Sequence, residues 1–397
     1  MRLEKVCLLV AAALSLAGCS ASSSVTLAPT PTPLPPPPTP PALTSGAVTV
    51  DFGTTNQTIR GFGGSTAWMQ TLPPAEMNAL FGTIGSDLGL SLLRVRIDPS
   101  FTAGGASNWG AELGNAQEAI AAGSNVNVIA TPWTPPAVYK TNNSTVMGSL
   151  NPSSYGAYAA YLESFVTYMA SGGVNLYGIS MQNEPDANVT YESCAWTGAQ
   201  MDTWVANNAS VLTTRLIMPE SENFNTSYSD PALADPNAVG HIAIVAGHLY
   251  GSSPSYYANA ENAQKDVWMT EHYLTPAGAQ PTIADALAAA EEVHNSMTAD
   301  YNAYLWWWIA DSIPNIGVIN YGLIDANGSL TYYGYALGQF ARFVRPGYVR
   351  VTATAEPAAG IYISAYAGDG HYVLVAINST SAAEGAPLVF QTAWSRS

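Results

Sequence analysis

The chain reads as an α/β protein: a (β/α)8 barrel with a small side β-domain formed from both chain ends. Two patterns carry that reading. Between residues 58 and 342, eight short apolar runs alternate with helix-like stretches, enough for eight strand–helix units. After Arg342 the pattern changes to period two, with Gly, Ala and Asp between the runs, the mark of antiparallel strands. A doubly wound open sheet is the alternative. Gly61-Phe62-Gly63-Gly64, however, lacks the spacing of a phosphate-binding glycine loop.

The elements follow in order. Residues 1–19 begin with Arg2 and Lys5, continue through an apolar run and end in Leu16-Ala17-Gly18-Cys19. The run is too short to span a bilayer and reads as a secretory signal. Its end resembles a bacterial lipobox, with Cys19 as the lipidated residue. Ser20 after it resembles an outer-membrane sorting signal, so a cell-surface or outer-membrane lipoprotein is expected, with plain secretion as the alternative. Residues 20–45 are rich in Pro, Ser and Thr and read as an extended linker. Residues 46–57 read as the first strand of the side domain. The barrel strands are expected at 59–63, 91–97, 127–131, 176–182, 215–219, 242–249, 266–270 and 304–309. Helices are expected at 153–171, 198–213 and 282–297, among others. Residues 343–397 complete the side domain, with strands at 348–354, 360–366 and 371–378, and this domain reads as shortened.

Composition bounds the partners. The 397 residues include 12 Lys+Arg and 28 Asp+Glu, a net charge of -16. That balance argues against nucleic acid and against an anionic membrane surface. Membrane contact is expected only through the lipid anchor, and a monomer is expected. An acidic working pH suits the same excess of carboxylates. With Cys7 and Cys19 in the signal, only Cys194 remains in the folded part, so no intrachain disulfide forms there. Cys194 reads as a buried structural thiol.

In a barrel, chemistry sits at the C-terminal ends of strands. The fourth expected strand runs into Gln182-Asn183-Glu184-Pro185, and the seventh into Thr270-Glu271-His272-Tyr273. Two carboxylates on nearly opposite strands suit glycoside hydrolysis: one protonates the leaving oxygen, and the other attacks the anomeric carbon or activates water. Asn183 is placed to hold a sugar hydroxyl, and Tyr250 and Tyr273 to hydrogen-bond Glu271. His272 has no second metal ligand at helical spacing, so neither a metal nor a cofactor is expected. His241 and His248 read as structural, and Trp306 and Trp308 as packing residues.

Six motifs in order resemble glycoside hydrolase family 30, most of all its bacterial glucuronoxylanase subfamily 8. They are Gly61-Phe62-Gly63-Gly64, the run from Leu93 to Asp98, Thr131-Pro132-Trp133-Thr134-Pro135-Pro136, Gln182-Asn183-Glu184-Pro185, Thr270-Glu271-His272-Tyr273 and the run from Phe340 to Gly347. The resemblance covers residues 47 to about 390. It implies retention, with Glu184 as acid/base and Glu271 as nucleophile. It also implies that Arg94 pairs near the nucleophile, Trp133 floors the cleft, Tyr250 contacts the nucleophile and Trp307 faces the glycone. A polysaccharide, β-1,4-xylan first, is the implied substrate. Xylobiose release and β-1,6-glucanase or β-1,6-galactanase activity are alternatives within the family. A surface glycan-binding lipoprotein is the non-enzyme alternative.

The sequence departs from the subfamily in the segment that holds a side branch, besides the shortened side domain. The subfamily holds a glucuronate branch through an arginine after the eighth strand and a nearby tyrosine. Here Asp311 and Ile313 stand in that segment, and Pro276 replaces a serine past the nucleophile. An aspartate repels a carboxylate, so cleavage independent of glucuronate branches is expected.

Overall fold

A computed structural model describes residues 47–100, 109–313, 316–385 and 387–391. The expected signal, Cys19 and the expected Pro-rich linker lie outside the described residues. Among the described residues, no helix is long and apolar enough to cross a membrane.

All eight expected barrel strands form, and they close into a parallel barrel. In order they are Gly61–Ser65, Leu92–Ile97, Asn127–Pro132, Gly178–Ser180, Arg215–Ser221, Ile242–His248, Asp266–Glu271 and Ala303–Trp308. The first strand pairs with the last, with Phe62 opposite Tyr304. Its glycines permit close pairing on both sides: a Cβ on Gly63 would lie 1.9 Å from the Leu92 carbonyl oxygen of the second strand, and one on Gly64 3.1 Å from the Trp306 carbonyl oxygen of the last. The major outer helices are Pro74–Phe81, Trp109–Ala122, Tyr155–Ser171, Gly198–Asn208, Ile283–Thr298 and Tyr332–Ala341. The fourth of these ends at Asn208, earlier than expected, and continues as the 3-10 turn Ala209–Val211.

Strand alternation sorts the side chains into two cores. Leu92, Ile129, Ile217, Ile244, Ala246, Trp268, Ala303 and Leu305 fill the barrel interior. Leu93, Val95 and Ile97 of the second strand instead join the layer packed against the helices. Arg94 is therefore in phase with Leu92 and rises above it into the mouth. The same phase carries Thr131 above Ile129, His248 above Ala246 and Trp307 above Leu305.

The side domain is a five-stranded sheet. Its order in space is His371–Asn378, Ile361–Gly368, Val349–Ala353, Val48–Thr58 and Leu388–Gln391. The first three pairings are antiparallel, and Leu388–Gln391 adds in parallel to the N-terminal strand. That fifth strand was not expected from the sequence. Val48, Val50, Val351 and Ile363 form the sheet's own small core. Gln57 Nε2 donates to the Met297 carbonyl at 2.6 Å, and Arg350 pairs with Asp300, which ties the sheet to the end of the helix before the eighth strand.

Candidate active site

The barrel mouth gathers three glutamates, one arginine and one histidine from five different strands or strand ends. Arg94 is fully buried at their centre. Its Nη1 donates to Glu271 Oε2 at 2.5 Å, its Nη2 to Asn183 Oδ1 at 2.6 Å and its Nε to Thr131 Oγ1 at 3.1 Å. Its guanidinium carbon lies 4.7 Å from the centre of the Trp133 ring. Burial works against this charge, but Glu220 and Glu271 outweigh it and leave Arg94 more basic than a free arginine.

Glu271 ends the seventh strand, where its pairing with the sixth skips register between Gly247 and His248. Tyr250 OH donates to Glu271 Oε1 at 3.0 Å, so arginine and phenol hold one carboxylate oxygen each. Burial pushes the Glu271 carboxyl above the ordinary range, His248 and Arg94 pull against it, and Glu184 adds to the upward push. Below it, His272 Nδ1 lies 2.8 Å from Glu292 Oε1, and the Trp307 N–H donates to the His272 carbonyl.

Glu184 follows the short fourth strand with a left-handed backbone, φ 43°. That conformation is costly for a residue with a Cβ and is held here by bonds on either side. The Asn183 N–H donates to the Pro132 carbonyl, and the Glu184 N–H donates to the Glu220 carbonyl. Gln182 Nε2 spans the Trp133 and Asn183 carbonyls at 2.7 Å each. The Glu184 carboxyl lies 2.9 Å from His248 Nδ1.

The structure brings together Glu184, Glu271, Asn183, Arg94, Tyr250, Trp133 and Trp307. Trp133 and Trp307 pack 5.6 Å apart, and Trp68 stands edge-on to both. Trp306 turns outward against Tyr333 of the last helix, and Trp308 donates to the Ala67 carbonyl. Both are packing residues, as the alternation requires. Tyr273 is a correction: it does not bond Glu271. Its ring stacks on Tyr321 at 4.0 Å, because the loop after the eighth strand returns alongside it.

That return has a visible cause. Asp311 is fully buried, and its Oδ1 accepts the Gly322 N–H at 2.6 Å. A Cβ on Gly322 would lie 2.7 Å from the Asp311 backbone nitrogen, so only glycine closes this contact. Burial raises the Asp311 carboxyl to about 6. Asp311 thus ties the loop together rather than facing the mouth. Ile313 is buried as well, in a two-residue ribbon with Gly317.

Sequence reasoning missed three members of the site. His248 read as structural, yet it touches Glu184; its signal was the spacing Ile244, Ala246, His248 on one strand face. Burial opposes a charge there, but Glu271, Glu184 and Glu220 together raise its pKa to about 9. Glu220 was passed over because the apolar run stops at Pro219. It is fully buried, with φ 53°, and its Oε2 accepts from Thr131 Oγ1 at 2.9 Å. Burial favours its protonation, but Arg94 and His248 outweigh that and lower the carboxyl to about 2. Trp68 lies past the first strand, where no periodicity marks it, also with a left-handed backbone at φ 64°.

Ligand atoms of Glu184, His248 and Glu271 all lie within 4.8 Å of one another. The spacing suits a small cation, but the chain supplies its own positive charges. Arg94 occupies one Glu271 oxygen, and a divalent ion would stand against that guanidinium. The arrangement instead offers two opposed carboxyls in a nearly dry cleft, with Glu184 and Glu271 exposing 6% and 5% of their surface.

Comparison with known proteins agrees with this geometry. Residues 111–268 match the glycosyl hydrolase family 30 TIM-barrel domain. Glucuronoxylanase XynC of Bacillus subtilis strain 168 is 37% identical over 362 residues, covering 88% of this chain and 82% of that protein. A solved family 30 subfamily 8 xylanase from Clostridium acetobutylicum is 43% identical with a TM-score of 0.76, covering 84% of each chain. A family 30 endoxylanase from Clostridium papyrosolvens is 39% identical with a TM-score of 0.77, covering 87% of this chain and 88% of that one. With its barrel closed, its two strand-end glutamates opposed and relatives of this identity along most of its length, the chain belongs to glycosyl hydrolase family 30.

Proposed function

We propose that this glycoside hydrolase cleaves the β-1,4-xylan backbone with retention of anomeric configuration. The observation that carries the mechanism is the approach of the Glu184 and Glu271 carboxylate oxygens to within 4.8 Å. Retaining enzymes hold their carboxyl groups about 5–5.5 Å apart, too close for a water to stand between them and the sugar. The named activities of the relatives support xylan as the substrate.

Glu184 donates its proton to the glycosidic oxygen as Glu271 attacks the anomeric carbon. A glycosyl ester forms on Glu271, and the leaving sugar departs with the proton. Glu184 then takes a proton from water, which displaces Glu271 and restores the original configuration. Arg94 and Tyr250 each hold an oxygen of Glu271, so the attacking carboxylate enters the cleft already aimed. Trp133 and Trp307 give the sugar at the cleaved bond an apolar wall.

Cleavage is independent of glucuronate branches. Arg94 and Arg96, both at the mouth, are already committed to carboxylates, Arg96 to Glu192 and Asp98. Asp311 spends its charge on Gly322. The test is digestion of glucuronoxylan and of linear xylooligosaccharides, with product lengths and the anomer read by NMR. Comparable cleavage of both, with the β-anomer first, supports the proposal. Cleavage of glucuronoxylan alone refutes branch independence, and release of only xylobiose refutes endo action. Activity on neither refutes xylan and points to β-1,6-glucans or galactans.

We further propose that the enzyme works outside the cytoplasm as a monomer, held to the membrane by lipid on Cys19. Cys19→Ala should move it from the membrane fraction to the soluble fraction without changing turnover.

A further inference from the structure

We propose that Glu220 is a positioning residue for the acid/base: by facing the Nε2 side of His248, it keeps the imidazole protonated beside Glu184. The inference rests on Glu184 being the acid/base.

Geometry places Glu220 on both sides of Glu184. Its main-chain carbonyl accepts the Glu184 N–H at 2.9 Å. Its side chain reaches Glu184 through the imidazole. His248 Nδ1 lies 2.9 Å from Glu184 Oε1, and His248 Nε2 lies 3.9 Å from Glu220 Oε1. Both of the latter atoms are buried, and neither has a hydrogen-bond partner among the described residues. A buried polar atom without a hydrogen bond is costly, and Nε2 of His248 faces Glu220 Oε1, so the two belong to one interaction. The order of groups is carboxylate, imidazole, carboxyl.

A simpler role, counter-ion to Arg94, leaves part of this unexplained. Glu271 already pairs with Arg94 at 2.5 Å, whereas Glu220 Oε1 stands 3.3 Å from Arg94 Nε. The cluster of Glu184, Glu220 and Glu271 holds three carboxyl groups and one arginine, Arg94, since Arg96 is taken up by Glu192 and Asp98. A second positive charge is required to balance two ionised carboxylates, and protonated His248 supplies it. The polar and titratable groups around this cluster are Arg94, Thr131, Ser180, Asn183, Glu184, Glu220, Tyr250 and Glu271. Arg94 and His248 balance two of the three carboxyls, which leaves one proton for the third, and the reading of Glu184 as acid/base places it there. When Glu184 gives that proton to the leaving oxygen, its new charge lies 2.9 Å from His248. Water later returns the proton, and Glu220 and His248 end each cycle unchanged.

Glu220→Gln removes the negative charge and keeps the shape. In the full chain, the basic limb of kcat/KM against pH should move down by about one unit on a linear xylooligosaccharide, because the pair releases its proton more easily. Turnover at neutral pH should fall roughly tenfold or more. An aryl xylobioside with a dinitrophenyl leaving group needs no proton, and its cleavage should fall far less. Glu220→Asp keeps the charge and should restore the basic limb. Equal losses on both substrates with an unmoved limb would overturn the proposal and leave Glu220 a structural counter-ion. Should Glu220→Gln not fold, histidine NMR of the wild type decides: protons on both His248 ring nitrogens at pH 7 support the proposal, and a neutral ring overturns it. Glu184→Ala is measured alongside. If it lacks the same dependence on leaving group, the acid/base assignment itself fails, which is distinct from a failure at Glu220 alone.

Discussion

Glu112 offers a stability test with a magnitude set by the structure. It sits in the first turn of the helix Trp109–Ala122, only 4% exposed, and its Oε2 accepts from Thr66 Oγ1 at 3.0 Å. The nearby Arg96 is already shared between Asp98 and Glu192. Burial therefore dominates: Thr66 and Arg96 oppose it, but the carboxyl still rises from 4.5 to about 8. Between those values the folded chain keeps a proton that the unfolded chain releases. Stability must then fall as pH climbs from the unfolded value towards the folded one. At pH 7 the loss amounts to about 3 kcal/mol, from roughly 1.4 kcal/mol per pH unit. Glu112→Gln keeps an acceptor for Thr66 and removes the titration. Urea denaturation from pH 5 to pH 8 should show the variant gaining on the wild type as pH rises, by up to about 3 kcal/mol at pH 7. Parallel stability curves across that range would refute the argument and show Glu112 ionised in the folded protein.

Other outcomes follow from the site. Glu271→Gln should abolish turnover of xylooligosaccharides while calorimetry still detects their binding, because the amide cannot form the ester yet fills the same space; residual steady turnover would count against Glu271 as nucleophile. Tyr250→Phe removes one hydrogen bond to a carboxylate, worth about 1.5–3 kcal/mol, so kcat/KM should drop about ten- to a hundredfold with the fold intact. Arg94→Met leaves Glu220 and Glu271 without their shared cation and should cost about 3–5 kcal/mol in denaturant unfolding. Adding Glu220→Gln should recover part of that loss, and strict additivity in the double-mutant cycle would show that the two groups do not interact.

The barrel was legible because its signals are apolar and local. All eight strand positions follow from short apolar runs, and the second strand shows why: Leu93, Val95 and Ile97 face the helices while Leu92 faces the interior. Glu184 and Glu271 were legible because each directly follows such a run. The groups that were missed share one property. His248, Glu220 and Glu112 are polar residues whose partners are distant in sequence, so nothing beside them in the chain reports the contact. His248 finds Glu184 64 residues away, and Thr66 finds Glu112 across 46. Tyr273 failed in the opposite direction. Its neighbour Glu271 was close in sequence, but the strand ends at Glu271, so strand alternation no longer aims Tyr273, and a loop some fifty residues later supplied its true partner, Tyr321.

The same distinction explains why the mouth is built as a charge cluster rather than as a single ion pair. A buried glutamate with little to offset its burial takes up a proton, as Glu112 does at about 8. Arg94 and His248 reverse that outcome for Glu220, which falls to about 2 although it is equally buried. Two equally buried glutamates thus sit six or so pH units apart: for Glu112 burial outweighs Arg96 and Thr66, whereas for Glu220 Arg94 and His248 outweigh burial. The alternation that carries Leu92, Ile129 and Ala246 inward also carries Arg94, Thr131 and His248 to one level of the mouth. Strand phase therefore brings the two cations that keep Glu220 ionised to the level of Glu184 and Glu271.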